Sequence, residues 1–347
     1  MPTLSDQYLR DVLERIYQAK GASAEEAAVV ARHQVDANLA GHDSHGVIRT
    51  MSYAAAIDKG HIVPGAPYEV ERETPTSAVV NGNWGFGFVV TERAMAETID
   101  KARSTGVAMT TVRCQSHVGR LGGYAVMAAE QGMIAMIMAD SGLGPKSVAP
   151  FGGRTSRLGT NPICFAAPGG PGGPVLLDMA TSAVAVGKLH VARSRGDAIP
   201  TGWILDKHGS PTTDPNDYYD GGTVLPLGGD QAHKGYGLSF VVEMFCGLLT
   251  GLGFGIDPQG RHNDGIFLSV FDVARLQDLE GFQRSVANFV EYLKETPLAE
   301  GFDEILYPGE LETRLSAQRR QAGIEIDKAT WNGLQGLLNE LGLADDR

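Results

Sequence analysis

The stretch Leu39 to Thr50, LAGHDSHGVIRT, places His42, Asp43, Ser44, His45 and Arg49 within eight residues of a chain that has only 9 histidines in 347. Side chains of these types suit three tasks. Imidazoles beside an acid can ligate a metal, but H-E-x-x-H spacing is missing and no second His/Cys cluster follows at a diagnostic interval, so no metal is expected. Asp43 or Ser44 can cap a helix start, with the other side chains solvated. The third task is interconversion of a carbonyl and an alcohol. Hydride addition to C=O leaves an alkoxide that needs a proton from a group titrating near neutrality, which histidine provides. A carboxylate next to that carbonyl is held by a guanidinium through two parallel hydrogen bonds. His45 and Arg49 are four apart and share a face if the segment is helical, and Ser44 or Asp43 can orient the imidazole. These residues alone leave the cap and the carbonyl chemistry both open.

Other polar, glycine-containing turns are spread along the chain. Arg113 to Gly132, RCQSHVGRLGGYAVMAAEQG, reads as a strand end, a turn with His117 and a helix whose glycine-flanked N-terminus offers N–H groups to an anion such as a pyrophosphate; a capped turn with a buried His117 is the plainer alternative. APFGGRTSRLGTNPICFAAP and LLDMATSAVAVGKLHVARSR set Thr160, Asn161, Asp178 and Lys188 beside strand ends, where α/β proteins bind ligands. HKGYGL opens a helix with His233 and Lys234, and YPGELETR carries Gly309, Glu310 and Arg314. Each turn is weak evidence alone; together they suggest one assembled pocket.

The elements that must position these residues fall into a clear order. Leu9, Val12, Leu13, Ile16 and Tyr17 recur at helical spacing, Gly21 stops that helix, and Ser23 with Glu26 forms a capping-box pattern for a second helix through Ala37. A further helix is expected over Val47 to Ala56. From residue 61, strand-like runs (YEVERET, SAVVNGN, GVAMTTVR, MIAMIMADS, NPICFAAP, PVLLDMAT) alternate with helices at Val90–Thr105 and Gly122–Gln131, which implies an α/β sheet. Residues 170 to 230 read as loops, HKGYGLSFVVEMFCGLLTG as a buried helix, and QRSVANFVEYLKET and ATWNGLQGLLNELG as terminal helices. The expected architecture is a mixed-sheet unit over 76–279 inserted into a largely helical unit built from 1–75 and 280–347.

Composition narrows the function. A net charge of −12 with no basic run argues against nucleic acid and anionic membranes, so an anionic substrate must find local cations. No apolar run reaches membrane-spanning length and the amphipathic N-terminus is unlike a secretory signal, which implies a cytoplasmic protein. The 3 cysteines lack CxxC spacing and read as small buried hydrophobes. With 45 glycines, the absence of both G-x-G-x-x-G and a P-loop disfavours an ordinary Rossmann or mononucleotide site.

GHDSHGVIR, SHVGRLGGYA, APFGG, LGTNP, LLDMATSAVAVGK, HKGYGL and PGE, in this order, resemble the type-2 malate/L-lactate dehydrogenase family, with a likeness to its hydroxycarboxylate dehydrogenase subgroup at Ala37–Gly46, Gly159–Pro162 and Ser182–Lys188. The resemblance implies a non-Rossmann NAD(P)-binding fold, a homodimer with its active sites near the subunit interface, and hydride transfer on a small 2-hydroxy acid. By the same resemblance His45 would exchange the proton with Ser44 as relay, and Arg49 would hold the substrate carboxylate. His117 would serve acid–base work or cofactor contact. Thr160 and Lys188 would line the substrate, and Asp178, Met179, Ala180, Thr181, His233, Lys234, Gly235, Pro308, Gly309 and Glu310 the cofactor. MADSGLGPKSVAP, Met138 to Pro150, is longer than in shorter members; Asp140 at its strand end is expected to accept from a ribose 2′-OH and so favour NAD. Two other functions fit the same residues: reduction of a cyclic 2-imino acid such as piperideine-2-carboxylate, and a sensor that binds a carboxylate without turnover.

Overall fold

In a computed structural model of the protein, residues 1–140, 144–256, 261–262 and 264–343 are described. The N-terminal elements are β1 (Thr3–Leu4), α1 (Asp6–Ala19), α2 (Ala24–Leu39) and α3 (Thr50–Asp58). α1 starts where the Ser5 side chain accepts from the Tyr8 amide, and it buries the five apolar residues that set its period. α2 opens on the Ser23–Glu26 capping box expected from the sequence.

Next come β2 (Glu69–Thr74), β3 (Ser77–Gly85), α4 (Gly87–Thr105), β4 (Val107–Gln115), α5 (Gly122–Ala129), β5 (Met133–Asp140), β6 (Ile163–Ala167) and β7 (Val175–Met179). All six strand-like runs are strands. β2, at 69–74, is hydrogen-bonded into the sheet, although the division at residue 75 would have put it with the helices. The span 170–230, expected as loops, also carries α6 (Val186–Arg195), β8 (Ile204–Leu205), β9 (Pro211–Thr212), α7 (Asn216–Tyr219) and β10 (Thr223–Val224), the three strands forming a small sheet of their own. α8 (Ala232–Val242) runs into a π-helical turn, Glu243–Leu248, and is followed by β11 (Gly265–Asp272), α9 (Leu279–Lys294), α10 (Glu310–Ala322), β12 (Ile324–Glu325) and α11 (Lys328–Glu340).

The main sheet has the order β2-β3-β4-β11-β5-β6-β7. β3 and β4 are parallel and every other neighbouring pair is antiparallel, so the sheet is mixed and unlike the parallel Rossmann sheet. β11, not anticipated from the sequence, is its centre, pairing with β4 on one side and β5 on the other. Val80, Val112, Ile137, Ile266 and Leu268 from the strands pack with Met95 and Ile99 of α4 and Tyr124 of α5. A second core joins the chain ends: Leu9, Leu13, Ile16, Leu39 and Tyr53 pack with Leu334 and Leu338, and β1 pairs with β12. Phe86 and Phe88, where β3 passes into α4, lie in this second core and tie the sheet to the helices.

The segment from His233 to Gly251 differs from the buried helix expected. Val242 and Cys246 are buried, but Leu238, Phe240, Met244, Leu248 and Leu249 are 42 to 57% exposed, so one apolar face of α8 and its π-helical turn is uncovered in the single chain. Among the described residues no helix is long and apolar enough to cross a membrane.

Candidate active site

The HDSHG stretch is held by the side chains of α2. Asn38 donates from Nδ2 to Asp43 (2.6 Å) and accepts through Oδ1 from the Val47 amide (2.9 Å). Gln34, itself accepting from Tyr17 (2.6 Å), donates to the Gly46 carbonyl (3.1 Å), and Arg319 of α10 donates to Asp43 (2.9 Å). A Cβ on Gly46 would lie 2.1 Å from Asn38 Oδ1, so only glycine lets the stretch seat on α2. Asp43 therefore pins the turn and does not orient an imidazole. The backbone is not α-helical here. Asp43–His45 and Val47–Arg49 are two 3₁₀ turns separated by extended Gly46, neither capped by a side chain, so no helical face sets the spacing of His45 and Arg49.

Three imidazoles meet beyond that turn. The His45 ring stacks on His117 (centroids 5.7 Å, 17° between planes), and His117 meets His262 edge-to-face at 5.1 Å. Ser44 Oγ lies 3.1 Å from His45 Nδ1. His117 Nδ1 accepts from the Gly119 amide (3.3 Å) and lies 2.6 Å from Tyr53 Oη. An acceptor Nδ1 puts the ring proton of neutral His117 on Nε2 and makes the Tyr53 hydroxyl a donor. The Arg49 guanidinium carbon lies 5.8 Å from the centre of the Tyr53 ring. Arg49 Nε is buried with no hydrogen-bond partner. His262 Nε2 pairs with Asp264 Oδ1 at 2.6 Å.

The charges in this cluster act on the three rings differently. Burial, then the electrostatic influence of His42 and of Arg49, lowers His45 to about 4. Burial, followed by His262, Arg49 and His45, holds His117 well below the usual imidazole value. Burial also works against the charged form of His262, but the charge of Asp264 and the hydrogen bond to it leave this ring raised. Burial pushes the Tyr53 hydroxyl up to about 12, against the pull of Arg49. His117, His262 and Asp264 each bring one potential ligand atom within 4.8 Å of the others. Hydrogen bonds to one another and to Tyr53, Gly119 and Val118 already engage these side chains.

The remaining expected residues form two connected groups around this cluster. Asp178, at the end of β7, accepts from the Gly122 amide at 2.7 Å and lies 3.7 Å from Arg120 Nε. The N–H expected to face an anion at the start of α5 is thus taken by a side chain. Burial raises the Asp178 carboxyl despite Arg120 and that amide. Met179 and Ala180 follow, half-buried. Thr181 is buried and donates to the Thr160 and Asn161 carbonyls (3.1 and 3.0 Å), and its own carbonyl takes the Leu227 amide. Gly235 packs on Leu227, where a Cβ would sit 2.2 Å from the carbonyl oxygen, while His233 and Lys234 are exposed. Lys188 is exposed on the first turn of α6, next to Gly187, whose Cβ would touch Ser44.

Pro308 accepts the Leu176 amide of β7 (2.9 Å), Gly309 takes φ 91° against Leu176, and Glu310 is ion-paired with Lys294 and Arg314 (2.6 Å each). These three dock α10, which brings Glu312 to 3.5 Å from His42. A cavity of about 410 Å³ opens on the Lys294 and Tyr307 side of Glu310, and Lys294 and Arg314 in its wall are both ion-paired with Glu310.

Asp140 requires a correction. It is 1% exposed, and its carboxylate lies where a Cβ on Gly247 of the π-helical turn would be 2.9 Å away. A ribose has no access to it, so the basis for favouring NAD falls. Tyr53, Arg120, Lys146, His262 and Asp264 were missed. Lys146 has a 3% exposed side chain 3.7 Å from Glu243 and acts on His262. Tyr53 was legible as the lone aromatic one turn after Arg49, and His262 as a histidine beside two acid or amide residues in RHND.

A nicotinamide dinucleotide carries phosphates and a carboxamide, and the donor set suits such a group: Arg120 Nε, like Arg49 Nε, is buried without a hydrogen-bond partner, beside Asp178 and two glycines.

Comparison with known proteins identifies the family. A sequence model of malate/L-lactate dehydrogenases matches residues 4–335. The malate/(S)-sulfolactate dehydrogenase of Methanothermus fervidus is 37% identical over 98% of each chain. The crystal structure of malate dehydrogenase from Entamoeba histolytica superposes with a TM-score of 0.95 at 29% identity, covering 100% of this chain and 99% of that one. The delta1-piperideine-2-carboxylate reductase of Pseudomonas syringae pvar. tomato gives 0.85 at 34% identity, covering 97% and 100%.

Proposed function

The chain belongs to the malate/L-lactate dehydrogenase family, and from that premise we propose that it transfers a hydride between a nicotinamide cofactor, NAD or NADP, and C2 of a small 2-hydroxy acid/2-oxo acid pair. The observation that carries the chemistry is Arg49: a guanidinium with a buried, unpartnered Nε, set beside two imidazoles in a protein of net charge −12.

Arg49 takes the substrate carboxylate through parallel hydrogen bonds. That orients the C2 carbonyl toward the stacked pair. His117, fixed as an Nε2–H donor by Tyr53 and Gly119, polarises the carbonyl oxygen and stabilises the alkoxide without giving up its proton. His45 delivers the proton. It is neutral in the free protein, chiefly through burial and then through His42 and Arg49; a carboxylate bound at Arg49 offsets the Arg49 share of that repulsion and raises the proton affinity of the ring. Ser44 holds its Nδ1. When bound, the cofactor supplies or accepts the hydride. Arg120 with the Asp178–Thr181 stretch would hold it, and His233–Gly235 and Pro308–Glu310 support that wall from behind. Thr160 and Lys188 border the substrate.

The protein acts as a homodimer in this reading, supported by the uncovered apolar face of α8. That face runs into Glu243, the partner of Lys146, so the interface would lie close to the imidazoles.

The structural likeness to a piperideine-2-carboxylate reductase favours a second reading, reduction of a cyclic 2-imino acid, in which Arg49 keeps its role and C=N replaces C=O. A panel of 2-oxo acids and cyclic 2-imino acids, each with NADH and NADPH, tests both. The first reading requires the 2-oxo acids to give the higher kcat/KM. A cofactor that binds but is never oxidised in the presence of any of these acids refutes both and favours the carboxylate sensor.

A further inference from the structure

Asp264 is more than a neighbour of the third imidazole. It is 4% exposed, and it grips the turn that carries His117 at two points: Oδ2 accepts from the Val118 amide (2.9 Å) and its carbonyl accepts from Gln115 Nε2 (3.2 Å). Its remaining oxygen seats His262 at 2.6 Å. His117 is thereby enclosed by three rings, with His45 stacked on one face, Tyr53 at Nδ1, and His262 edge-to-face at 5.1 Å. Neither His262 nor Asp264 has a part in the proton and hydride transfers assigned above.

We propose that His262 and Asp264 are a positioning pair for His117, fixing its ring and keeping it in the neutral, hydrogen-bond-donating form. This rests on the dehydrogenase reading for its purpose, though not for its test. A neutral imidazole must stay neutral to donate from Nε2 while Nδ1 accepts from Tyr53; a proton on Nδ1 would break both that bond and the one from Gly119. The charged groups that face His117 are Arg49 from the 3₁₀ turn before α3, His45 from the HDSHG turn, and His262 with Asp264 ahead of β11; Lys146, acting on His262, stands behind them. Asp264, 2.6 Å from Nε2, favours the protonated form of His262, and a positive charge there opposes a second one on His117. Asp264 keeps that cation in place.

The test compares wild type with His262→Gln, which can still donate to Asp264 but carries no charge, and with the isosteric Asp264→Asn. The side-chain nitrogens of His117 are titrated by two-dimensional proton–nitrogen NMR, assigned with His117→Asn. Charges about 5 Å apart at an effective dielectric near 20 shift a titration by more than roughly one unit. His117 should accordingly titrate at least about one pH unit higher in His262→Gln, with a smaller rise in Asp264→Asn, where both charges of the pair are lost together. In turnover, kcat should fall roughly tenfold in His262→Gln with the cofactor KM unchanged, short of the ~10² to 10³ typical of losing an oxyanion donor outright. The acid limb of the pH profile should move toward neutrality. An unchanged His117 titration in folded His262→Gln overturns the inference even if the enzyme is fully active. Lack of wild-type turnover would instead overturn the dehydrogenase reading and leave this titration to be judged alone.

Discussion

Replacing Arg49 by alanine removes the proposed carboxylate clamp, and the structure sets the size of the effect. The guanidinium has a buried, unpartnered Nε, and no carboxylate of the described residues forms an ion pair with it, so its charge is available to an incoming anion. Loss of one partner from a desolvated, bidentate charge pair costs ~2 to 5 kcal/mol. At ~1.4 kcal/mol per factor of ten, kcat/KM for a 2-oxo acid should fall roughly 30- to several-thousand-fold. Arg49→Lys should recover only a fraction, since an ammonium cannot form the planar fork. The assay is steady-state oxidation of reduced cofactor with an acid and with its 2-oxo amide. The amide should be poor with wild type and nearly indifferent to Arg49→Ala. Equal losses for acid and amide would refute the clamp and make Arg49 a support for the HDSHG turn.

Further outcomes follow from the same geometry. His45→Ala should lower kcat by roughly 10² to 10⁴ with cofactor Kd little changed; a variant that keeps more than half of wild-type kcat would transfer the proton to His117. Calorimetry of 2-oxo acid binding in buffers of different ionisation enthalpy should show net proton uptake on the acid side, near pH 4 to 5, because the bound anion raises His45 above its free value of about 4, and the uptake should vanish in Arg49→Ala. If the exposed face of α8 is the subunit contact, light scattering should find a dimer for wild type and a monomer for Leu248→Glu with Met244→Glu; an unchanged mass would put the interface elsewhere.

Much of this was legible in the sequence, for reasons that differ by element. α1 and α2 show a 3.6-residue apolar period and a capping box, signals written within a few residues, and six of the seven main strands are bounded by turn residues. β11 escaped because GIFLSVFD, buried on both faces, has no alternation, and its partners β4 and β5 lie more than a hundred residues away. His45 and Arg49 were found by residue type, yet the reason for their proximity was wrong: Gly46 breaks the helix, and Asn38 and Gln34 hold the turn from α2. The ligand-binding tendency of strand ends misled at Asp140 because a π-helical turn, invisible in the sequence, roofs that end of β5. Tyr53 and His262 stood out by residue type in the sequence, but their meeting with His117 depends on tertiary contacts.

The central claim is that hydride goes to C2 of a 2-oxo acid held by Arg49. It is tested most directly by running the reduction with cofactor deuterated at the transferring C4 position and examining the product by NMR. Deuterium at C2 of the 2-hydroxy acid, with the hydroxyl proton drawn from solvent and a rate that collapses in Arg49→Ala, is the predicted result. Product without deuterium at C2, or oxidised cofactor with no 2-hydroxy acid formed, would contradict the account.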